Sequence, residues 1–420
     1  MILFLYNCLI RLYRLAISLV AVVNPKAKRW IDGRKDWATR LELAIAAADP
    51  HKPWVWLHAA SLGEFEQARP VIEAWRATHP NHQLLLTFFS PSGYEVQKNY
   101  ALAEVVCYMP IDTASNARRF LDIAKPIAVF FVKYELWYHH LAAVQKRQIP
   151  LILFSATFRP DQWLFDWRGR WFAHILHNFD YLFVQDDASR QCLLRAGVAP
   201  ERIRITGDTR YDRVLSIAQQ RPTDPIVEAF KAGKPLLMIG SSWAEDLKVT
   251  LPVLARFQAT LKVVIAPHEM SEQALQQAAQ GCKGVVLRYS QATPETAAAA
   301  DCLLIDNVGK LAALYQYADI AYVGGAFRTG LHNILEPAVF AIPVLFGKKY
   351  RRYSEAVALV GLGCAFACAD EVQFAQHLER LYHNQAEREL IAERLKQFMR
   401  EHRGGTQKIV NQVVIAEKSN

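Results

Sequence analysis

The sequence has little of several features that would assign it to a specific class of protein. Its seven cysteines are scattered and suggest no disulfide framework, so buried free thiols in a reducing compartment are expected. It contains no zinc-ligand spacing, no arginine-rich tract and no RNA-binding signature, which makes nucleic acid the least favoured partner. It also lacks an Asp-x-Asp string that could hold a metal ion on a phosphate, and we expect neither a metal nor a cofactor.

The chain does have a large apolar fraction and a basic balance. Its 420 residues are 52% hydrophobic and 21% charged, which is enough for two domains with separate cores. The net charge of +9 favours an acidic partner, such as an anionic lipid or a phosphorylated substrate.

The first 23 residues are almost all apolar. Their polar members recur at helical spacing on one stripe: Asn7, Arg11, Arg14 and Ser18. The free-energy cost of placing two mid-helix arginines in a bilayer nearly cancels the gain from the apolar side chains. A helix lying in the membrane interface therefore fits at least as well as a bilayer span. The basic residues between 26 and 35 favour the anionic cytoplasmic face. A cleaved signal peptide is disfavoured because the stretch has no early basic region and no A-x-A-like site. A buried core helix is the remaining alternative.

From Trp54 onward, short apolar runs alternate with helical segments, which is typical of parallel sheets covered by helices. The runs of the first series are 54–57, 84–89, 127–132, 151–154 and 181–184. Those of the second series are 236–239, 261–266, 320–323 and 343–346. The polar stretch 218–225 between them is interpreted as a linker. Ligands of such sheets bind beyond the carboxyl ends of the strands, so two facing domains would form a cleft there.

The stretch DIAYVGGAFRTGLHNILE, residues 319–336, predicts a strand, a glycine-rich loop and the start of a helix. The pair Gly324-Gly325 would let the backbone approach a ligand, and a helix start offers N–H groups to an anion. Glu336 is placed to bind two hydroxyls of a ribose. The alternative is a tight turn followed by a helix-start acid on a solvated face.

Two further strings follow strands of the first series. In His58-Ala-Ala-Ser61-Leu-Gly63-Glu64, the glutamate is either a general base or a first-turn acid that complements the helix dipole. The loop with Ser90 and Ser92 either caps a helix, which the sequence favours, or holds a phosphate of an acceptor.

These strings, taken in order, resemble the Kdo transferases, which make the inner core of lipopolysaccharide. Residues 58–64 match the family's HxxSxGE, whose glutamate is the proposed base. Residues 133–138 are similar to T-E-L-W-P, with Glu135 matched and Tyr138 in place of the proline. Residues 324–338 are similar to GG…G-HN-LEPA.

Weaker matches complete the resemblance. Residues 206–212 resemble T-G-N-x-K-F-D, with Arg210 at the usual lysine, and residues 240–242 resemble G-S-T. His268 replaces either the Arg or the His of P-R-H-P. Gly309 matches D-x-x-G-E-L, in which Lys310 replaces the acid.

The resemblance implies an α/β protein of the GT-B fold, with two doubly wound Rossmann-like domains facing a cleft and an amino-terminal membrane-associated helix. The expected parts are an anchor helix at 1–24, an acceptor domain at 25–217, a linker at 218–234 and a donor domain at 235–420 with C-terminal helices.

The implied activity is inverting transfer of Kdo from CMP-Kdo to a phosphorylated lipid A precursor, on the cytoplasmic side of the inner membrane. A GT-B enzyme that uses a UDP-sugar, similar to a lipid A disaccharide synthase, is one alternative. A non-catalytic membrane protein that binds a nucleotide sugar is another.

The candidate site residues form three sets. The catalytic candidates are Glu64 and Glu135. The donor-binding candidates are Ser241, Ser242, His268, Gly309, Gly324, Gly325, Asn333 and Glu336. The acceptor-binding candidates are Ser61, Gly63, Ser90, Ser92 and Arg210.

Overall fold

The computed structural model describes residues 2–166, 169–257, 260–307, 309–328 and 330–415. Within these residues the chain forms two compact units. The first consists of residues up to Arg213 together with those from Arg403 on, and the second is Val214–His402. The sequence had placed a linker at 218–234 and all later residues in the second domain, whereas here the end of the chain belongs to the first unit.

Strands appear where the apolar runs predict them. In chain order they are β1 (Trp54–Ala59), β2 (Gln83–Phe88), β3 (Val105–Tyr108), β4 (Ala128–Val132), β5 (Leu151–Ala156), β6 (Tyr181–Val184), β7 (Ile203–Ile205), β8 (Leu236–Ser242), β9 (Lys262–Pro267), β10 (Val286–Arg288), β11 (Cys302–Leu304), β12 (Ile320–Val323), β13 (Val344–Gly347) and β14 (Ala365–Cys368).

Helices fill most of the connections between the strands. In chain order they are α1 (Ile2–Val20), α2 (Pro25–Asp32), α3 (Trp37–Ala46), α4 (Leu62–Thr78), α5 (Pro91–Gln97), α6 (Ala114–Ala124), α7 (Tyr138–Lys146), α8 (Arg170–Ala173), α9 (Asp187–Arg195), α10 (Arg210–Gln220), α11 (Pro225–Lys231), α12 (Ala244–Leu254), α13 (Glu272–Gly281), α14 (Pro294–Ala299), α15 (Leu311–Leu314), α16 (Leu335–Ala338), α17 (Ser354–Gly361), α18 (Glu371–His383), α19 (Gln385–His402) and α20 (Gly405–Gln412).

Both units are built on a parallel sheet whose strand order reverses in the middle. The first sheet has the order β3-β2-β1-β4-β5-β6-β7, and the second has the order β10-β11-β9-β8-β12-β13-β14. The reversal lies between β1 and β4 in the first sheet and between β8 and β12 in the second. At such a switch point the loops after two neighbouring strands diverge and leave room for a ligand. Glu64 and Glu135 follow β1 and β4, while Ser242 ends β8 and Gly324 follows β12.

The first sheet is buried on both faces, because alternate side chains of each strand point to opposite sides. Trp56 and Phe131 belong to one apolar layer, and Leu57 and Phe130 belong to the other. α20 completes the second layer beside α4. Its start is held by Asp212, whose carboxylate accepts the backbone N–H groups of Gly404 (2.6 Å) and Thr406 (2.7 Å).

One face of α1 packs on the first unit. The Tyr6 hydroxyl donates to the buried carboxylate of Asp112, and the Asn7 side-chain oxygen lies 2.6 Å from His139 Nε2. Two turns further along, the ring of Tyr13 lies 5.9 Å from Trp30, centroid to centroid. Little of the helix is buried, so it is not a core helix of this unit.

The rest of α1 faces outward. The exposed leucines of this helix are Leu3, Leu5, Leu9, Leu12, Leu15 and Leu19. The residues of the predicted polar stripe have different surroundings. Asn7 contacts His139, whereas Arg11 and Arg14 stay exposed. Among the described residues, α1 is the helix whose length and apolar composition would suffice to cross a membrane.

Candidate functional site

Glu64 lies in the first turn of α4, directly after β1. Its side chain is 9% exposed, and its Oε2 atom accepts the backbone N–H of Ala60 at 2.6 Å. Burial raises the pKa of Glu64, while Lys133 and the backbone N–H groups of Ala60 and Ser61 oppose the shift. Its burial distinguishes Glu64 from an exposed first-turn acid, which would not be desolvated.

Glu135 lies in the loop between β4 and α7. It accepts a hydrogen bond from the Trp137 indole N–H at 2.8 Å. Burial raises the pKa of Glu135 to about 8, and the negative charge of Glu64 adds to the shift. The structure thus brings together the two carboxyl groups that the sequence named as catalytic candidates.

Lys133 completes this group, although the sequence analysis gave it no role. Its charge acts on both Glu64 and Glu135. Its backbone has a φ of 59°, in the left-handed region that non-glycine residues rarely adopt, and its N–H donates to the Phe154 carbonyl at 2.9 Å. Such strain costs about 1–3 kcal/mol and is concentrated at functional sites. The signal was present in the sequence as a lysine directly after a buried strand.

The two carboxyl groups titrate as a coupled pair. Both pKa values are raised by burial, and the repulsion between two charges disfavours the doubly ionised state. Glu64 has two backbone donors and Lys133 to support its charge, whereas Glu135 has one indole N–H and Lys133. These contacts favour ionisation of Glu64 over ionisation of Glu135.

The four acceptor candidates with small side chains lie at two helix starts of the first unit. Ser61 is the residue before α4, but its hydroxyl does not cap the helix, and the space beside Gly63 is open. Ser90 caps α5 by accepting the Ser92 N–H at 3.2 Å, as the sequence favoured. The Ser90 and Ser92 hydroxyls lie 3.0 Å apart.

The fifth acceptor candidate, Arg210, forms an ion pair with Asp208. Asp208 accepts from the Arg210 guanidinium at 2.7 and 2.8 Å. Burial opposes ionisation of Asp208, but Arg210 and Gln67 hold its pKa below the ordinary value. This ion pair fixes the direction of the Arg210 side chain.

In the second unit, the glycine pair after β12 is required by the packing of the chain itself. A Cβ on Gly324 would lie 2.4 Å from the Ser241 carbonyl oxygen. Gly325 has a φ of 96°, and a Cβ there would lie 2.2 Å from the Gly330 carbonyl oxygen. The space that a Cβ would need at these two positions is occupied by atoms of the protein itself.

Asp246 ties this glycine corner to the start of α12. One carboxylate oxygen accepts the backbone N–H groups of Trp243 and Gly325, each at 2.9 Å. The other accepts the Tyr322 hydroxyl at 2.9 Å. The ends of β8 and β12 are thereby held in a fixed arrangement.

Three donor candidates stand at the carboxyl ends of β8 and β9. Ser241 adopts a left-handed φ of 51°. The buried Ser242 hydroxyl has no hydrogen-bond partner among the described residues, and an unpaired buried hydroxyl costs about 1–3 kcal/mol. His268 donates its backbone N–H to the Ser242 carbonyl at 2.9 Å. The unpaired hydroxyl is suited to a ligand that supplies the missing partner.

An aromatic and cationic stack, not predicted from the sequence, lies at the same edge of the second sheet. The rings of His268 and His332 stack at 4.4 Å, and Trp243 lies 4.5 Å from His268. The guanidinium of Arg328 covers the Trp243 ring at 4.0 Å. Burial lowers the pKa of His332 to about 4, with His268 adding to the shift, so His332 is neutral at pH 7. Arg328 and His332 lie within the stretch 319–336, and Trp243 directly follows the string at 240–242, but nothing in local spacing shows that they meet.

A cavity of about 310 Å³ adjoins this stack and is lined in part by Ser242, Trp243, Pro267 and Arg328. It is the size of a small-ligand pocket.

Asn333 and Glu336 are joined by a hydrogen bond of 3.1 Å from the amide nitrogen of Asn333. Asn333 precedes α16 and Glu336 lies within it. This helix has four residues, so the helix that the sequence predicted after the glycine loop is a single turn. Gly309 has a φ of 88° and open space around its α-carbon. Beside it, Lys310 donates to the Tyr289 hydroxyl at 2.6 Å.

The described residues contain no group of three or more His, Cys, Asp or Glu side chains arranged to hold a metal ion.

Comparison with known proteins points to one family. Residues 35–213 match the model of a family described as 3-deoxy-D-manno-octulosonic-acid transferase (kdotransferase). A 3-deoxy-D-manno-octulosonic acid transferase of Haemophilus influenzae is 25% identical over 423 residues, covering 97% of this chain and 97% of that protein. A protein of the same name from Chlamydophila psittaci is 24% identical over 412 residues, covering 95% and 93%. The chain is similar to Kdo transferases over nearly its whole length.

A solved protein structure shares the fold of this chain. A UDP-GlcNAc 2-epimerase of Neisseria meningitidis, bound to UDP-GlcNAc, matches with a TM-score of 0.58 and 14% identity, covering 85% of this chain and 98% of that one. At this identity the likeness shows the fold alone. The predicted GT-B fold with two Rossmann-like α/β domains is confirmed, and the similarity to Kdo transferases supports a glycosyltransferase.

The raised pKa of Glu135 predicts how the stability of the protein depends on pH. Between pH 4.5 and about 8 the unfolded chain releases this proton while the folded protein keeps it, so folding stability falls as pH rises through that window. Glu135→Gln removes the effect. The variant should match the wild type near pH 4.5 and exceed it at pH 9 by on the order of 1–2 kcal/mol, a discounted value because the carboxyl group is half-buried.

Urea unfolding at the two pH values measures this difference. Glu42→Gln, at an exposed position of the same unit, is the control and should change stability by at most about 0.5 kcal/mol. An equal effect of Glu135→Gln at both pH values would show that Glu135 does not hold the proton.

Proposed function

We propose that this protein transfers Kdo from CMP-Kdo to a phosphorylated lipid A precursor, with inversion at the reacting sugar carbon. The observation that carries the proposal is the group of Glu64, Glu135 and Lys133 after β1 and β4, in which burial raises the pKa of both carboxyl groups. Similarity to Kdo transferases supports the sugar that is transferred. The first unit would bind the acceptor and the second unit the CMP part of the donor.

The chemistry requires a base more than an acid. Kdo is activated as its CMP ester, so the phosphate leaves readily without a proton. The acceptor hydroxyl is a weak nucleophile, and a positioned carboxylate must take its proton as the new bond to the sugar carbon forms. Ionisation of Glu64 is favoured over ionisation of Glu135, so Glu64 is assigned this role. Glu135, which keeps its proton, is assigned a supporting role that preserves the negative charge of Glu64.

The donor would be held by the edge of the second sheet. Glu336 would bind the ribose, and Asn333, which shares a hydrogen bond with it, would help to orient the phosphate. The unpaired Ser242 hydroxyl and the Arg328 guanidinium are further groups for a phosphate or a carboxylate at this edge.

The contacts of α1 support a position on the membrane surface. Tyr6 and Tyr13 both touch the first unit, and they are separated by two turns or roughly 10 Å along the helix. A helix held along its side in this way does not cross the bilayer while the contacts persist. Its exposed leucines would enter the lipid, and Arg11, Arg14 and the basic residues from 26 on would meet anionic headgroups on the cytoplasmic side.

Removal of the base tests the catalytic assignment. Glu64→Gln should lower the single-turnover rate of transfer by about 100- to 10,000-fold, because a general base contributes an effect of this size. Binding of CMP should be unchanged. Glu66→Gln, two residues further along α4, is the matched control and should transfer at nearly the normal rate. Near-normal transfer by Glu64→Gln, with Glu135→Gln inactive, would give the role of base to Glu135.

Donor binding is tested separately by calorimetry with CMP. Glu336→Ala should weaken binding by about 10- to 150-fold, because a hydrogen bond to a charged group contributes on the order of 1.5–3 kcal/mol. Glu371→Ala, in the exposed first turn of α18, is the control and should bind CMP normally. A folded Glu336→Ala protein with unchanged affinity would remove this assignment.

The position of α1 is tested with vesicles that contain anionic lipid. Wild-type protein should bind them and be released by alkaline carbonate, as a surface-bound protein is. Replacing both Leu15 and Leu19 by Glu should weaken vesicle binding at least about tenfold, because it places charge on the face that enters the lipid. Activity on acceptor dispersed in detergent should remain. Retention of the wild-type protein in the bilayer after carbonate extraction would indicate a spanning helix.

A further inference from the structure

Two adjoining apolar cavities lie in the first unit beside α1. One has a volume of about 450 Å³ and the other of about 530 Å³. They share three aromatic residues: Tyr6, Trp163 and Phe172. The Phe172 ring lies 6.0 Å from Tyr6 and 5.6 Å from Trp163, centroid to centroid. The two cavities therefore adjoin at these side chains, and we call them together the groove.

The two ends of the groove differ in what they reach. The first cavity ends at Glu135 and Trp137, which are hydrogen-bonded to each other beside Glu64. The second cavity is lined by Leu9 and Leu12, which are 64% and 62% exposed on the outward face of α1. The groove thus runs from Glu135 to the surface that we assign to the membrane.

The lining selects an apolar ligand. Most of the walls are aliphatic and aromatic side chains, and both Ile10 and Leu164 line the first cavity. Apart from Glu135, the polar lining groups are the hydroxyls of Tyr6 and Tyr134 and the side chain of Gln162. A sugar or a phosphate would lose its hydration here with few partners, whereas a hydrocarbon chain would gain about fourfold in binding for each methylene buried. Both volumes lie in the range of small-ligand pockets.

We propose that this groove binds one acyl chain of the lipid acceptor and so places the hydroxyl of its sugar headgroup at Glu64. The proposal rests on the proposed function, because it takes the acceptor to be an acylated lipid. It commits to the acceptor as the source of the chain, since Glu135, whose charge interacts with that of Glu64, lines the groove. In this account α1 is a wall of the substrate site as well as the contact with the membrane.

Filling the groove tests the proposal. Ile10→Trp places an indole in the first cavity from the α1 side. If two or three methylenes of the chain are excluded, KM for the acylated acceptor in detergent should rise roughly 15- to 60-fold. KM and kcat for the same phosphorylated disaccharide without acyl chains should not change, which also shows that the variant is folded and active.

Leu15→Trp is the matched control. It places the same side chain on α1 at an exposed position that lines neither cavity, and both acceptors should then behave as with the wild type. An unchanged KM of Ile10→Trp for the acylated acceptor would overturn the proposal. An equal loss on both acceptors would also overturn it, because Ile10 would then act only through the structure.

A binding measurement separates this inference from the proposed function. In equilibrium dialysis without donor or acceptor, wild-type protein should bind labelled monododecanoyl glycerol saturably at one site, and Ile10→Trp should lose this site. The same probe should compete with the acylated acceptor and not with the deacylated one. Absence of saturable binding would exclude an acyl site even if the protein is a transferase. Binding without competition would assign the groove to a bilayer lipid and reject the acceptor as its occupant.

Discussion

Two carboxyl groups buried near each other cannot both be ionised without a large electrostatic cost, and the first unit is arranged around this constraint. Glu64 is supported by backbone N–H groups at the start of α4, and Glu135 by the indole of Trp137. Lys133 is held in a left-handed backbone conformation where its charge reaches both. These contacts favour ionisation of Glu64 over ionisation of Glu135, which suits the role of general base that we propose for Glu64.

The parallel sheet explains why these residues meet. β1 and β4 are neighbours although two strands separate them in the chain, so the loops after them diverge at one edge of the sheet. The same relation between β8 and β12 brings Ser242 to the glycine corner of the second unit. In both units the chemistry lies on short loops, and the buried strands beneath them supply the rigidity.

Much of this arrangement was predictable from the sequence, because buried parallel strands are continuous apolar runs. The strand at 320–323 and the capping role of Ser90 were both visible locally. The role of the glycine pair was not, because its neighbours Ser241 and Gly330 are brought there by tertiary packing. The return of α20 to the first unit depends on Asp212 and has no local signal. The stack of Arg328 on Trp243 is equally invisible to spacing.

The most direct test of the account is to incubate purified protein with CMP-Kdo and a lipid A precursor and to weigh the products by mass spectrometry. The account predicts that the acceptor gains the mass of Kdo and that CMP is released in equal number. An acceptor that stays unmodified with CMP-Kdo but is glycosylated when a UDP-sugar is supplied would contradict it.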